Sequence, residues 1–232
     1  PHHAGGRWDD RQELCAVGGN SWVRSRRKPT MSTMIANRFK APVTAFITPI
    51  CKAMLSVGIT ANGLTVVGAL GGVLSALFFF SQGEFFIGTL VVSLFALSDL
   101  FDGTLARLSQ QGSTKWGALI DSTLDRITDA AICAGILVYA YSEGEMSFTV
   151  YLALTALITG SLIPYIRARA ESLGIECSVG IAERAERLMI SLAAIGFNGL
   201  GVPYILAVGM WLLALLGTYT VLQRMLIVKR AS

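Results

Sequence analysis

Charge is the first thing this chain runs short of. Only 15% of its 232 residues are Asp, Glu, Lys or Arg, against 53% apolar, and the mean hydropathy is +0.59. Those proportions exclude an ordinary soluble domain. Histidine is rarer still, with His2 and His3 alone, both beside the N-terminus. The membrane part therefore has no imidazole for a Ser-His or Cys-His nucleophile, which leaves carboxylates as the general bases there. Cys15, Cys51, Cys133 and Cys177 stand far apart without CxxC or comparable spacing, so neither a zinc site nor a disulfide frame is implied. The net charge of +4 makes no case for nucleic acid as a partner, and none is expected. In so apolar a chain the position of the positive residues matters more than their sum.

What the chain has instead is long uncharged runs, such as Phe85 to Ser98 and Ala130 to Ser142. Several approach the roughly 20 residues that cross a bilayer. Six spans are predicted, at 61–81, 85–108, 114–142, 147–170, 182–197 and 203–227. The expected fold class is thus an all-α integral membrane protein. An N-terminal amphipathic juxtamembrane helix precedes the spans at 33–57, where Arg38, Lys40 and Lys52 interleave with Phe39, Phe46, Ile47, Ile50 and Leu55. Pro42 and Pro49 are expected to bend or interrupt it, and a short spanning helix is the alternative. Residues 1–30 lack the apolar core of a signal peptide. They read as a disordered cytoplasmic leader, or as sequence upstream of a start at Met31 or Met34, ahead of one membrane domain over 31–232.

Orientation follows from the loops. The connections SQGE, SEGE and NGLG contain no Lys or Arg, whereas the opposite ones carry Arg107, Lys115, Arg167, Arg169, Arg184, Arg187, Arg224, Lys229 and Arg230. By the positive-inside rule both termini lie in the cytoplasm. Pro164 falls within the fourth span and can kink it. Arg224, inside an apolar run, is placed to snorkel toward the headgroups. Thr60 is positioned to cap the helix that begins at ANGLT.

Against this apolar background, residues 99–125, DLFDGTLARLSQQGSTKWGALIDSTLD, hold four carboxylates. Asp99 and Asp102 are i, i+3 on one helix, and Asp121 and Asp125 are i, i+4 on the next, so each pair shares a face. An ionised carboxylate near hydrocarbon costs several kcal/mol unless held, so such residues default to function. Two acidic faces brought together make an all-oxygen pocket suited to Mg²⁺ or Mn²⁺. Gly103 and Ala106 keep the first face open for a ligand, Gly117 permits close approach of the second helix, and Arg107 can meet a phosphate or an aspartate. Asp129 continues the second ladder one turn further, beside Arg126, and reads as support.

The pattern D-x2-D-G-x2-A-R-x9-G-x3-D-x3-D is filled at every fixed position: Asp99, Asp102, Gly103, Ala106, Arg107, Gly117, Asp121 and Asp125. In this the chain resembles the CDP-alcohol phosphatidyltransferases, integral membrane enzymes of phospholipid biosynthesis. The resemblance implies transfer of a phosphatidyl group from CDP-diacylglycerol to an alcohol, with CMP leaving, a plasma-membrane location and a homodimer. It implies a pair of metal ions, Mg²⁺ or Mn²⁺, on Asp99, Asp102, Asp121 and Asp125, with Asp125 also the general base. The donor would lie against Asn62, Gly63, Leu64, Thr65, Gly103, Ala106, Arg107 and Ser113. RARAESLG followed by ERAERL is similar to the branch of the family that uses inositol phosphate, and implies Arg167, Arg169, Arg187 and Arg224 for the acceptor phosphate. Composition alone serves glycerol phosphate as well, as in a phosphatidylglycerophosphate synthase, and serine less well. The rival from another class is a cation carrier or channel, since intramembrane aspartates also line ion paths.

Overall fold

Every regular element among the described residues is helical. The structure, a computed structural model, describes residues 47–109, 114–144, 148–181 and 183–231. The leader, the amphipathic segment before Ile47, and Ser113 lie outside them. The elements are α1 (Ile47–Ser56), α2 (Ala61–Phe80), α3 (Phe85–Ala96), α4 (Ser98–Leu108), α5 (Lys115–Ser142), α6 (Phe148–Ser172), α7 (Arg184–Gly199) and α8 (Ile205–Ala231).

Local chemistry sets several of the helix ends. Thr60 sits in extended backbone and its Oγ1 accepts the Gly63 N–H at 3.1 Å, which starts α2 where expected. Thr114 does the same for α5, accepting the Gly117 N–H at 2.9 Å. The last turns of α2, Ala76–Phe80, widen to π-type geometry where α5 crosses closely. A Cβ on Gly135 of α5 would stand 2.6 Å from the Ala76 carbonyl oxygen, so that crossing needs glycine.

Among the described residues, four stretches are long and apolar enough to cross a membrane: Ala61–Phe80, Phe85–Leu108, Phe148–Ser172 and Ile205–Ala231. The other two expected spans correspond to α5 and α7. The first carries Asp121, Asp125, Arg126 and Asp129, and the second is 16 residues long and opens on Arg184, Glu186 and Arg187. Charge and length keep both out of that class. The stretch 85–108 is not one continuous helix either. It breaks at Leu97, so that α4 has its own N-terminus with Asp99 in its first turn, where the helix dipole favours a negative group. Pro164, by contrast, lies inside α6 without ending it, and Pro49 lies inside α1. A proline ring suits helical φ; Pro164 forfeits its N–H bond, whereas Pro49, in the first turn of α1, has none to lose within that helix.

The pattern of burial is that of a lipid-solvated protein. Inside, Phe80, Phe85, Val92, Ile132, Ile195, Met210 and Leu213 pack with the small residues Ala76, Ala131 and Ala153. Small residues let helices approach where no hydrophobic force drives them together. Outside, Val67, Leu70, Leu74 and Phe78 on α2, Leu90 and Leu94 on α3, and Trp211, Leu215 and Leu222 on α8 are exposed. An apolar surface this extensive marks contact with lipid or protein, and suits acyl chains as solvent. A separate small cluster joins Ile47 and Cys51 of α1 to Leu105 of α4, and the Cys51 thiol donates to the Phe101 carbonyl at 3.6 Å. Ile50 and Lys52 face outward on α1.

Candidate active site

Two helix starts and the middle of a third helix meet around one cleft. It has a volume of about 620 Å³ and is lined by the N-terminal turn of α2, the middle of α4 and the N-terminal turn of α5. Its position rests on two close approaches. A Cβ at Gly68 would lie 1.9 Å from the Ser98 Oγ, so α2 can cross directly over the start of α4. One turn away on α2, the buried Thr65 hydroxyl donates to Asp102 Oδ2 at 2.6 Å. A Cβ at Gly117 would lie 2.7 Å from the Asn62 Oδ1, which sets the starts of α5 and α2 side by side. Two capped helix N-termini therefore face the same space, an arrangement that favours phosphate.

Asn62, Thr65, Asp102, Gly103, Ala106 and Asp121 all line this cleft. At Gly103 an added Cβ would meet nothing within 4 Å, so its wall is open there. Gly63 and Leu64 share the first turn of α2 but are not part of the lining, and the Gly63 N–H is taken by the Thr60 cap. Arg107 curls back on its own helix, its Nε donating to the Gly103 carbonyl at 3.0 Å and its Nη2 to the Thr104 Oγ1 at 3.2 Å.

The remaining acids are joined by α7. Arg184, first residue of that helix, places Nη1 2.6 Å from Asp99 Oδ2 and Nη2 2.8 Å from Asp125 Oδ1. Its Nε stands 3.9 Å from Asp129 Oδ1. Arg187, one turn on, reaches Asp129 Oδ2 at 3.3 Å. Arg126 pairs with its neighbour Asp125 at 3.8 Å, while Asp129, its i+3 neighbour, is held by the two α7 arginines. The two acidic faces are thus brought together as expected: Asp102 and Asp121 across one cleft, Asp99 and Asp125 across one guanidinium. Among the described residues no three acids are gathered closely enough to hold an ion as they stand. The donor chemistry nonetheless fits a hard divalent cation, since every candidate ligand is a carboxylate and a positive group already lies between two of them.

The four arginines expected at the acceptor phosphate are not gathered at one point. Arg167 forms an exposed pair with Glu171 at 2.9 Å, and Arg169 lies against Ser172 Oγ at 3.4 Å. Arg187 alone joins the acids, and with Arg126, Ser161 and Ser191 it lines a small cavity of about 50 Å³. Arg224 does not snorkel. It is buried, donating from Nε to the Val179 carbonyl at 2.7 Å and from Nη1 to the Ile163 carbonyl, so it ties α8 to α6 and to the loop before α7. Backbone carbonyls close by give the guanidinium a nearer partner than a distant headgroup.

Two contributors escaped the sequence reading of the site, Arg184 and Thr114. The signals were present: Arg184 and Arg187 are i, i+3 in ERAER, and TKWG repeats the Thr-x-x-Gly spacing of TANG.

The CDP-alcohol phosphatidyltransferase family model matches residues 58–222, and the chain belongs to that family, transferases of substituted phosphate groups. Among curated relatives it is 38% identical over 213 residues to a phosphatidylinositol phosphate synthase of Streptomyces avermitilis, covering 88% of this chain and 86% of that one. It is 41% identical over 201 residues to the protein of the same name from Cutibacterium acnes, covering 83% and 97%. Solved structures of Mycobacterium tuberculosis phosphatidylinositol phosphate synthase superpose closely. The form with CDP-DAG bound gives a TM-score of 0.75 at 39% identity, covering 78% of this chain and 92% of that one. The form in complex with manganese and citrate gives 0.74 at 39% identity, covering 78% and 88%.

Proposed function

We propose that the chain makes phosphatidylinositol phosphate in the plasma membrane: the hydroxyl of inositol phosphate attacks the lipid-bearing phosphorus of CDP-diacylglycerol, and CMP leaves. The observation that carries this reading is the cleft itself, where two capped helix N-termini face Asp102 and Asp121 from one wall to the other. A pyrophosphate fits such a place electrostatically. The names of the relatives favour inositol phosphate over glycerol phosphate as acceptor.

In this reading Asp99, Asp102, Asp121 and Asp125 hold Mg²⁺ or Mn²⁺, as a pair of ions. When bound, these supply charge neutralisation on the pyrophosphate and hold the reacting groups in line. Thr65 fixes the rotamer of Asp102, and Asn62, Gly103 and Ala106 bound the space for the donor. Gly63, Leu64, Arg107 and Ser113 are proposed as its further contacts. Asp125 accepts the proton of the attacking hydroxyl, a role open to it because no histidine is at hand. Arg187 faces the acceptor phosphate, with Arg167 and Arg169 toward the water and Arg224 holding the loop between them.

The chain is proposed to cross the membrane six times, with α5 and α7 as spans whose charges neutralise each other at Asp129 and Arg187. Both termini and the cleft then face the cytoplasm, where the Lys- and Arg-bearing loops belong. Residues 31–232 form the membrane domain, as a homodimer. The test is CMP release from CDP-diacylglycerol by the purified protein, offered inositol phosphate, inositol, glycerol phosphate or serine, with and without EDTA. Turnover confined to inositol phosphate and abolished by EDTA is expected. Preference for glycerol phosphate overturns the acceptor, and no CMP with any alcohol overturns the reaction and leaves a cation carrier as the reading.

A further inference from the structure

Arg184 holds an unusual place. It comes from α7, 85 residues along the chain from Asp99, and its guanidinium spans carboxylates on two other helices. Its two terminal nitrogens contact Asp99 Oδ2 and Asp125 Oδ1, oxygens that the proposed ions would also need. The third nitrogen, Nε, is buried without a hydrogen-bond partner, 3.9 Å from Asp129 Oδ1. That distance is too long for a hydrogen bond and short enough for attraction. The residue sits at the first position of α7, directly after Glu183 in extended backbone, so only one end of its helix anchors it.

We propose that Arg184 is an internal counter-cation that occupies the acidic centre until divalent ions displace it. The proposal rests on the reading of Asp99 and Asp125 as ion ligands given above. Without a cation, acids facing one another from α4 and α5 repel, and a guanidinium fork relieves that repulsion by bridging one carboxylate on each helix. When ions arrive they compete for the same oxygens, and Arg184 yields Asp99 and Asp125. Asp129, already held by Arg187, then receives it, and the unpartnered Nε gains an acceptor. The exchange keeps the number of positive groups near the donor phosphates high only after ions are present. Arg184 is thus a positioning residue that makes the centre close on ions rather than stand open.

The competition gives the proposal its sign. Removing a structural support would weaken ion binding, whereas removing a competitor strengthens it. Mn²⁺ binding to the purified full chain in detergent, followed by the loss of its free-ion paramagnetic resonance signal, reads this directly without substrates or turnover. Arg184→Gln is expected to bind Mn²⁺ about three- to tenfold more tightly than the parent. Its ion-free form should melt lower, and Mn²⁺ should raise its melting temperature by more than it raises the parent's. Arg184→Lys, which keeps a charge but cannot bridge two carboxylates, should fall between, and serves alone if the glutamine variant does not fold. Asp99→Asn, which removes a proposed ion ligand, should bind Mn²⁺ more weakly than the parent; if it does while either Arg184 variant binds Mn²⁺ equally or more weakly than the parent, the counter-cation role is overturned and the ligand set stands. Failure of the parent chain to bind Mn²⁺ overturns both.

Discussion

A methyl group added at Gly103 separates ligand space from protein packing. Gly103 lies in the middle of α4, on the wall of the cleft, and a Cβ built there has no heavy atom within 4 Å. The fold therefore has no steric reason to resist Gly103→Ala. Helix energetics favour it, since glycine in a helix interior is about 0.5–1 kcal/mol worse than alanine. The melting temperature in detergent should stay level or rise. The donor is another matter. If its phosphates run along α4 past this residue, the methyl group intrudes on them, and overpacking of that kind costs about 1–3 kcal/mol. Donor KM or kcat/KM should then worsen by roughly five- to hundredfold, since 1.36 kcal/mol is a factor of about ten. The assay is CMP release over a range of CDP-diacylglycerol concentrations at saturating acceptor, beside thermal unfolding of the same preparation. Gly68→Ala is the control with the opposite character, because its Cβ would fall 1.9 Å from Ser98 Oγ and should cost stability and activity together. Normal donor kinetics in a well-folded Gly103→Ala protein would refute the placement of the donor in this cleft.

Other expectations concern single side chains. Asp125→Asn should abolish turnover while CDP-diacylglycerol binding, measured by calorimetry with Mn²⁺ present, is largely retained; near-normal activity would remove Asp125 from the role of base. Arg187→Ala should raise the acceptor KM with a smaller change in donor KM, and equal effects on both would move it out of the acceptor pocket. Arg224→Met should lower the melting temperature sharply, because it strips a charged partner from the Val179 and Ile163 carbonyls, each such bond being worth about 1.5–3 kcal/mol. An unchanged melting temperature with impaired acceptor use would instead mean that the guanidinium turns to the substrate.

The acidic centre was legible because its spacing is local: i, i+3 and i, i+4 pairs on successive helices need no knowledge of tertiary structure. The Thr60 cap was legible for the same reason. The break at Leu97 was not, since SLFALSDLF contains neither proline nor glycine and its hydropathy runs on unbroken. Arg184 was hidden differently. Its partners lie 55 to 85 residues upstream on two other helices, and a long side chain in a charged loop reads as solvated. Arg224 misled because an arginine in an apolar run suggests snorkelling, whereas the carbonyls that hold it come from α6 and a loop whose proximity only the packing of α6 on α8 creates. Hydropathy also counted α5 and α7 with the other spans, although their charges answer each other across the bundle.

The interruption at Leu97 divides one lipid-length stretch into two parts with separate duties. No residue lining the cleft comes from α3, whose buried residues Phe85, Gly88 and Val92 seat it among its neighbours. The greasy half is an anchor and the acidic half a tool. A foreign apolar segment that preserves those three seats and the length of α3 should therefore carry the chemistry of α4 unaltered, which makes this junction the natural seam for building chimeras within the family.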